Sequence, residues 1–146
     1  MKLRLMTISD YGQVYSLWTN TPNMGLNNLD DSKEGIAKYL KRNPDTCFVA
    51  EKNSHIIGVI LSGHDGRRGY IYHMAVAQEE QRQGVGEALL NTAMLAFKEA
   101  GINKLALVVF EHNEKGNAFW EKHGFAARGD LAYRNKSLVD LERMDT

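Results

Sequence analysis

The 146-residue sequence predicts one α/β domain spanning residues 1–146, a mixed, mostly antiparallel sheet of about seven strands with helices on both faces. Three observations carry this. Two apolar runs flank Asn53-Ser54, a hairpin signal. From Tyr70 to Ala100 a strand pattern, a turn with two glycines and a long amphipathic helix follow one another. After that helix, "KLALVVF" has the near-continuous apolar character of a strand covered on both sides.

Each element has its own local reason. "KLRLMTI" alternates and reads as the first strand. Ser9 or Asp10 can cap a helix over "YGQVYSLWTN", whose Val14, Leu17 and Trp18 share a face. "TPNMGLNNLD" is a loop, and Asp31 or Ser32 starts a second helix bounded by Pro44. "TCFVAEKNSHIIGVILSG" gives two strands, the turn "HDGRRG" follows, and "YIYHMAV" adds a third; turns this short make the three antiparallel neighbours. The helix after "AQEEQRQGVG" buries Val85, Leu89, Leu90, Ala93, Met94 and Phe97, and Gly101 stops it. "NEKGNAFWEKH" is a short helix ending at Gly124, and "FAARGD" and "SLVDLERM" are expected as the last two strands.

Composition narrows the function. Lys+Arg and Asp+Glu balance at 18 each, which argues against a domain built mainly to bind nucleic acid. One cysteine, Cys47, excludes an internal disulfide and any multi-cysteine metal site, and no metal is expected. Its place in a strand reads as a buried core thiol rather than a nucleophile. "MKLRLMTISD" lacks the apolar stretch of a signal peptide, and no run approaches the ~18 apolar residues of a membrane span, so a cytoplasmic protein without membrane partners is expected.

The glycine turn is the chemical signal. Backbone N–H groups at a helix start lack internal partners and carry partial positive charge, and glycine lets a phosphate oxygen approach them. On the glycines alone, this reading and a plain tight turn with close helix packing stand equal. A dinucleotide fingerprint needs a third glycine where Leu89 stands, and a P-loop needs a lysine that is absent.

Gln81-Arg82-Gln83-Gly84-Val85-Gly86, preceded by "HMAV" and followed by "EALLNTAMLAF", "KLALVVF" and "NEKGNAFWEKHGF", resembles the cofactor region of the GNAT superfamily of N-acetyltransferases. The resemblance implies a sheet splayed between its fourth and fifth strands, with acetyl-coenzyme A in the gap. It implies pantetheine contacts from the backbone of Met74, Ala75 and Val76 and from Asn113. It puts the pyrophosphate on Gln81, Arg82, Gln83, Gly84, Val85 and Gly86. Trp120 stands where many members carry a tyrosine general acid, and an indole cannot serve as an acid near neutral pH. Trp120 could instead pack along the pantetheine, and Tyr133, expected in the loop between the last two strands, is the substitute acid. Tyr70 and Tyr72 occupy positions used for the base in some members, and a regular strand puts both on the face of Met74. His73 would then face the other way unless a bulge intervenes. His64, Asp65 and His112 are further candidates.

The implied activity is transfer of acetyl to a primary amine of a small molecule, protein or peptide by direct attack in a ternary complex. Asp30 and Asp31 are candidates to hold a cationic acceptor, with Asn27 and Asn28 orienting polar groups. Val108 replaces the glutamate that would mark a ribosomal-protein alanine acetyltransferase. A non-catalytic acyl-coenzyme A binding module is the alternative, and a homodimer is left open.

Overall fold

The computed structural model describes residues 1–145. Five strands form one sheet in chain order: β1 (Lys2–Leu5), β2 (Phe48–Lys52), β3 (His55–His64), β4 (Gly69–Val76) and β5 (Leu105–Leu107). The first four pair antiparallel and β5 runs parallel to β4. Helices α1 (Tyr11–Thr19) and α2 (Lys33–Arg42) pack on one face, α3 (Val85–Glu99) and α4 (Glu114–Lys122) on the other.

Local chemistry accounts for most boundaries. Ser32 caps α2 by accepting from the Gly35 N–H at 3.0 Å. Asn53 and Ser54 both take left-handed φ, 50° and 65°, the geometry of a two-residue hairpin turn whose twist matches its strands. Before α1 the chain makes one 3₁₀ turn, Ile8–Asp10, and Asp10 reaches back to accept from the Thr7 N–H at 2.9 Å. Gly101, φ 76°, ends α3.

The core has two halves divided by the sheet. Val14, Trp18, Leu26, Ile36 and Cys47 pack with Val59, Leu61 and Ala75 on the α1/α2 face. Leu89, Leu90, Ala93 and Phe97 of α3 pack with Ile60 and Ile71 on the other. Cys47 is 1% exposed, burial pushes its thiol up to about 12, and it donates to the Ser62 carbonyl at 3.1 Å. It is a core thiol, as the sequence implied, although it lies one residue before β2 rather than in it.

The sheet is smaller than the sequence suggested. The described residues contain neither of the last two expected strands, and β5 covers three residues of "KLALVVF". β5 is an edge strand, with Ala106 and Val108 exposed rather than covered on both sides. Residues 126–145 are exposed, Leu138 at 92%, so these stretches bury no apolar face that would hold them to a sheet. The final stretch bonds the loop before α2 instead. Asn28 N–H donates to Glu142 C=O, Met144 N–H to Leu26 C=O, and the Asp145 carboxylate accepts from the Gly25 and Leu26 N–H groups. Its only strand-like pairing among the described residues is the single bridge between Asn27 and Arg143.

Candidate active site

β4 pairs with β5 only from Gly69 to Ile71, after which the two chains diverge. The Ala77 N–H donates to Ile57 C=O at 2.8 Å, and antiparallel alternation from that pair turns the backbone groups of Ala75 and His73 toward β3. Those of Met74 and Val76 therefore face the gap. The Val76 carbonyl is reached from that side by Gln81 Nε2 at 3.2 Å. Of the three β4 residues singled out from sequence, Ala75 thus spends its own backbone groups on the sheet.

The gap opens into a cleft of about 2190 Å³. At the C-terminal end of β4 its wall is the glycine turn. Gly84 caps α3 in the left-handed region, φ 81°, and Arg82 shares that region at φ 64° without glycine's freedom. The first helical bond is Ala88 N–H to Gly84 C=O, so the N–H groups of Val85, Gly86 and Glu87 have no helical acceptor. A Cβ on Gly84 would meet nothing within 4 Å, while one on Gly86 would sit 3.3 Å from the Phe119 ring. The two glycines therefore differ: Gly84 allows the left-handed turn, and Gly86 allows α3 and α4 to approach. These are the two parts of the plain reading, a tight turn at one glycine and close helix packing at the other, and the unpartnered N–H groups beside them are what a phosphate could use. Arg82, Lys115 and Lys122 line the cleft, as do Glu80 and Glu87, so charges of both signs border it.

Opposite β4, Asn113 caps α4 by accepting from the Gly116 N–H at 2.9 Å and lines the cleft with Trp120. Trp120 is half-buried, its ring edge-on to Phe119 and Phe125 at 5.0 and 5.2 Å.

Toward the start of β4 the strand carries a bulge. Leu61 pairs with His73 and Ser62 with Ile71, leaving Tyr72 without an opposite residue. Side-chain parity flips there: Ile71 and Met74 pack on the α3 face, while His73 and Ala75 face α1. The shared face expected for Tyr70, Tyr72 and Met74 is thus corrected. Tyr70 and Tyr72 lie 4.5 Å apart between ring centroids, with Tyr39 5.6 Å from Tyr72, away from Met74. Burial, with Tyr133 and Tyr72 adding, pushes Tyr70 up to about 12; burial, Tyr133 and Asp30 raise Tyr72. Both are therefore less ionised near neutral pH than a free tyrosine. Tyr133 is 67% exposed in the irregular C-terminal stretch and lines the same part of the cleft.

His73 lies opposite Met74, as regular alternation implied, and the bulge turns Tyr70 and Tyr72 onto its side, the side of α1 and α2. His73 Nε2 lies 2.7 Å from Asp31 Oδ1, with both side chains more than nine-tenths buried. Asp31 Oδ2 accepts from the Asn27 N–H at 2.8 Å, and Tyr11 Oη donates to the Asp31 carbonyl at 2.6 Å. Asp31 is therefore committed within the fold and is not free to hold an acceptor; Asp30 is exposed, and only its Oδ2 is engaged, accepting from Asn27 Nδ2 at 3.0 Å. Asn27 Oδ1 and Asn28 Oδ1 are also spent, on the Leu29, Asp30 and Glu142 N–H groups. The remaining candidates are turn or linking residues. His64 Nδ1 accepts from the Gly66 N–H, and Asp65 accepts from the Arg67 and Arg68 N–H groups, which hold its carboxyl below the ordinary range. His112 Nε2 lies 2.9 Å from Asn23 Oδ1.

A mixed sheet splayed at β4, with an anion-receptive helix start at the mouth of the gap, defines the class of acyl-coenzyme A dependent acyltransferases. The profile of the acetyltransferase (GNAT) family matches residues 12–125, and the chain belongs to that family. It is 30% identical over 142 residues to an acetyltransferase of Pectobacterium atrosepticum, covering 97% of this chain and 99% of the relative. An acetyltransferase of Yersinia pestis is 27% identical over the same length and the same shares. Two solved structures share the fold. One is Ard1 from Thermoplasma volcanium, TM-score 0.75 and 20% identity over 84% of this chain and 80% of that one. The other is an aminoglycoside acetyltransferase from a soil metagenomic sample, TM-score 0.71 and 21% identity over 94% and 96%. The protein is a GNAT-type acyltransferase, and members of this family generally use acetyl-coenzyme A as co-substrate.

Proposed function

We propose that the chain transfers acetyl from acetyl-coenzyme A to a primary amine, on a small molecule or an exposed position of a protein or peptide, by direct attack while both substrates are bound. The observation that carries this is backbone left out of sheet and helix pairing on both sides of one corner. The N–H groups of Val85, Gly86 and Glu87 lie at the mouth of the gap, and the Met74 and Val76 backbone groups line it. The turn from Gln81 through Gly86 would take the pyrophosphate, and Met74, Val76 and Asn113 the pantetheine. A β4 N–H would stabilise the charge that grows on the thioester oxygen as the amine attacks. Trp120 would flank the thiol-bearing arm without donating a proton. Of the tyrosines, Tyr72 and Tyr133 are the exposed pair and would guide the acceptor, with Tyr70 behind them. Asp30 would draw a cationic amine into that end by charge.

One chain supplies both walls of the cleft, so the proposal requires no second copy. A cytoplasmic setting, where acetyl-coenzyme A is available, is part of it. The family's acetyltransferases favour an enzyme over a binding module. The test is free-thiol release from acetyl-coenzyme A across a panel of primary amines. Release that depends on both protein and amine is expected, and tight acetyl-coenzyme A binding without release for any amine would overturn the reading.

A further inference from the structure

The tyrosine end of the cleft holds cations that the fold leaves without partners. Lys38 and Arg42 of α2, and Lys136 and Arg143 of the C-terminal stretch, are exposed and line the cleft. Ion pairs among the described residues engage Arg4, Lys52, Arg128 and His73; Lys38, Arg42, Lys136 and Arg143 join none. Lys38 and Arg42 stand one turn apart on the same helix face. Tyr39 lies between them in sequence, and its ring meets Tyr72 edge-on at 5.6 Å. Arg42 also precedes Asn43, whose Oδ1 accepts from the His64 N–H at 2.9 Å where β3 pairs with the start of β4. The two α2 cations therefore sit beside the corner made by Tyr70 and Tyr72. Hydroxyl donors add to them. Tyr11 is the only tyrosine whose hydroxyl bonds the protein among the described residues, so those of Tyr70, Tyr72 and Tyr133 are free to donate. Burial raises Tyr70 and Tyr72, so both keep their protons near neutral pH. Two acids stand against this set: Asp31 is paired with His73, and Asp30 is exposed and bonded by Asn27. Glu80 and Glu87 border the glycine turn at the other end.

We propose that this corner binds an anionic group of the acceptor, with Lys38 and Arg42 as its anchors. The amine that takes the acetyl then belongs to a molecule that also carries a carboxylate or a phosphate. This rests on the acetyl-transfer reading above and names its acceptor class. A guanidinium and an ammonium on one face make charge-assisted bonds to anionic oxygens, and neutral tyrosine hydroxyls serve as further donors. At this end one exposed carboxylate, Asp30, meets four unpaired cations. A diamine would bring a second positive charge against that excess, and like charges juxtaposed across a binding surface disfavour the complex. An acceptor with one amine and one acid group meets both signs: Asp30 attracts the arriving ammonium, and Lys38 and Arg42 hold the acid. Fixing the acid end also positions the amine against the thioester farther along β4, where the Met74 and Val76 backbone groups face the gap. Strand rise puts ~7 Å between Tyr72 and Met74, a span that a short carbon chain covers.

Two measurements test this. The first needs no transfer. Protein saturated with coenzyme A is titrated with γ-aminobutyrate, its carboxamide, aminopropyl phosphate and putrescine, short-chain amines that differ in the charge at the far end. NMR follows the ring signals of labelled tyrosines, with Tyr72→Phe assigning Tyr72. At least one anionic probe should shift Tyr72 saturably and bind about tenfold or more tighter than the carboxamide, and the tighter of the two names the acid group. Silence toward both anionic probes, or tighter binding of putrescine, would overturn the proposal. The second is kcat/KM for the same amines, which should be higher for an anionic amine than for putrescine. Lys38→Gln and Arg42→Gln each remove one charge-assisted bond. Each should lower that value for the anionic amine by about 10- to 10²-fold, chiefly through KM, with coenzyme A affinity and melting unchanged. Arg42→Glu should turn the preference toward putrescine, and a preference that survives all three substitutions would overturn the assignment. Tyrosine shifts without transfer to any amine would sink the acetyltransferase reading and leave the anion site standing. Transfer that favours putrescine would do the reverse.

Discussion

Replacing Gly84 with aspartate puts a negative charge where the pyrophosphate is proposed to sit. The backbone there is left-handed, φ 81°, and a Cβ would enter open space with nothing within 4 Å. A non-glycine residue in that region costs roughly 1–2 kcal/mol, and aspartate tolerates it better than most. A carboxylate near a helix start returns about 0.3–1 kcal/mol, so the fold should persist with a small loss. Binding should suffer far more. Two like charges about 4 Å apart at an effective dielectric near 20 repel by roughly 4 kcal/mol, and each ~1.4 kcal/mol is tenfold in Kd. Titration calorimetry with coenzyme A should therefore show a loss near 10³-fold for Gly84→Asp, and under about tenfold for Gly84→Ala, which carries the strain without the charge. Equal losses for the two would make backbone geometry the cause. A Gly84→Asp protein that melts normally and binds within about threefold of wild type would refute the pyrophosphate assignment.

Three further outcomes are expected. Burial alone would raise the Asp10 pKa, but hydrogen bonds from Arg4, at 2.8 and 2.9 Å, and from Thr7 outweigh it and hold the carboxyl below its ordinary value. A lowered folded pKa stabilises above the unfolded value of ~3.9 and is lost as pH falls through the folded one; Asp10→Asn should cost about 1–3 kcal/mol at neutral pH and flatten the acid side of a urea-midpoint curve. An acid curve unchanged by the substitution would contradict this. Ending the chain after Leu141 removes the bonds from Glu142, Met144 and Asp145 to Gly25, Leu26 and Asn28. It should raise the KM of the acceptor while leaving coenzyme A affinity alone, and an unchanged acceptor KM would show that this clasp does not shape the site. Cys47, buried with its thiol pushed up to about 12, should react with a thiol reagent only as fast as the protein unfolds; a prompt reaction in the native state would contradict its core role.

Features set by a few neighbouring residues were legible in the sequence. Ser32 as a cap, Asn53-Ser54 as a hairpin turn, Gly101 as a helix stop and the turn at Gly84 all rest on local backbone preference. The bulge at Tyr72 was not, because it exists only in register with Leu61 and Ser62 on a different strand. It decided which face Tyr70 and Tyr72 take, while the pair that His73 forms with Asp31 was hidden by the 42 residues between them. No local signal marked the pair: His73 sits within an apolar strand, but Asp31 lies in the polar run Asp30-Asp31-Ser32-Lys33 that reads as a helix start. The two C-terminal strands failed for the opposite reason. "FAARGD" and "SLVDLERM" alternate well enough locally, but pairing also needs a free strand edge of matching length, and β5 has three residues.

The central claim is that one cleft holds the thioester donor at the glycine turn and delivers its acetyl to an amine. Carbon-13 NMR of carbonyl-labelled acetyl-coenzyme A, mixed with the protein and a panel of primary amines, follows the acetyl carbon itself. The account expects the thioester signal to give way to an amide signal with at least one amine, and Gly84→Asp to stop that conversion. A thioester signal that persists with every amine, in a protein that binds acetyl-coenzyme A, would contradict it.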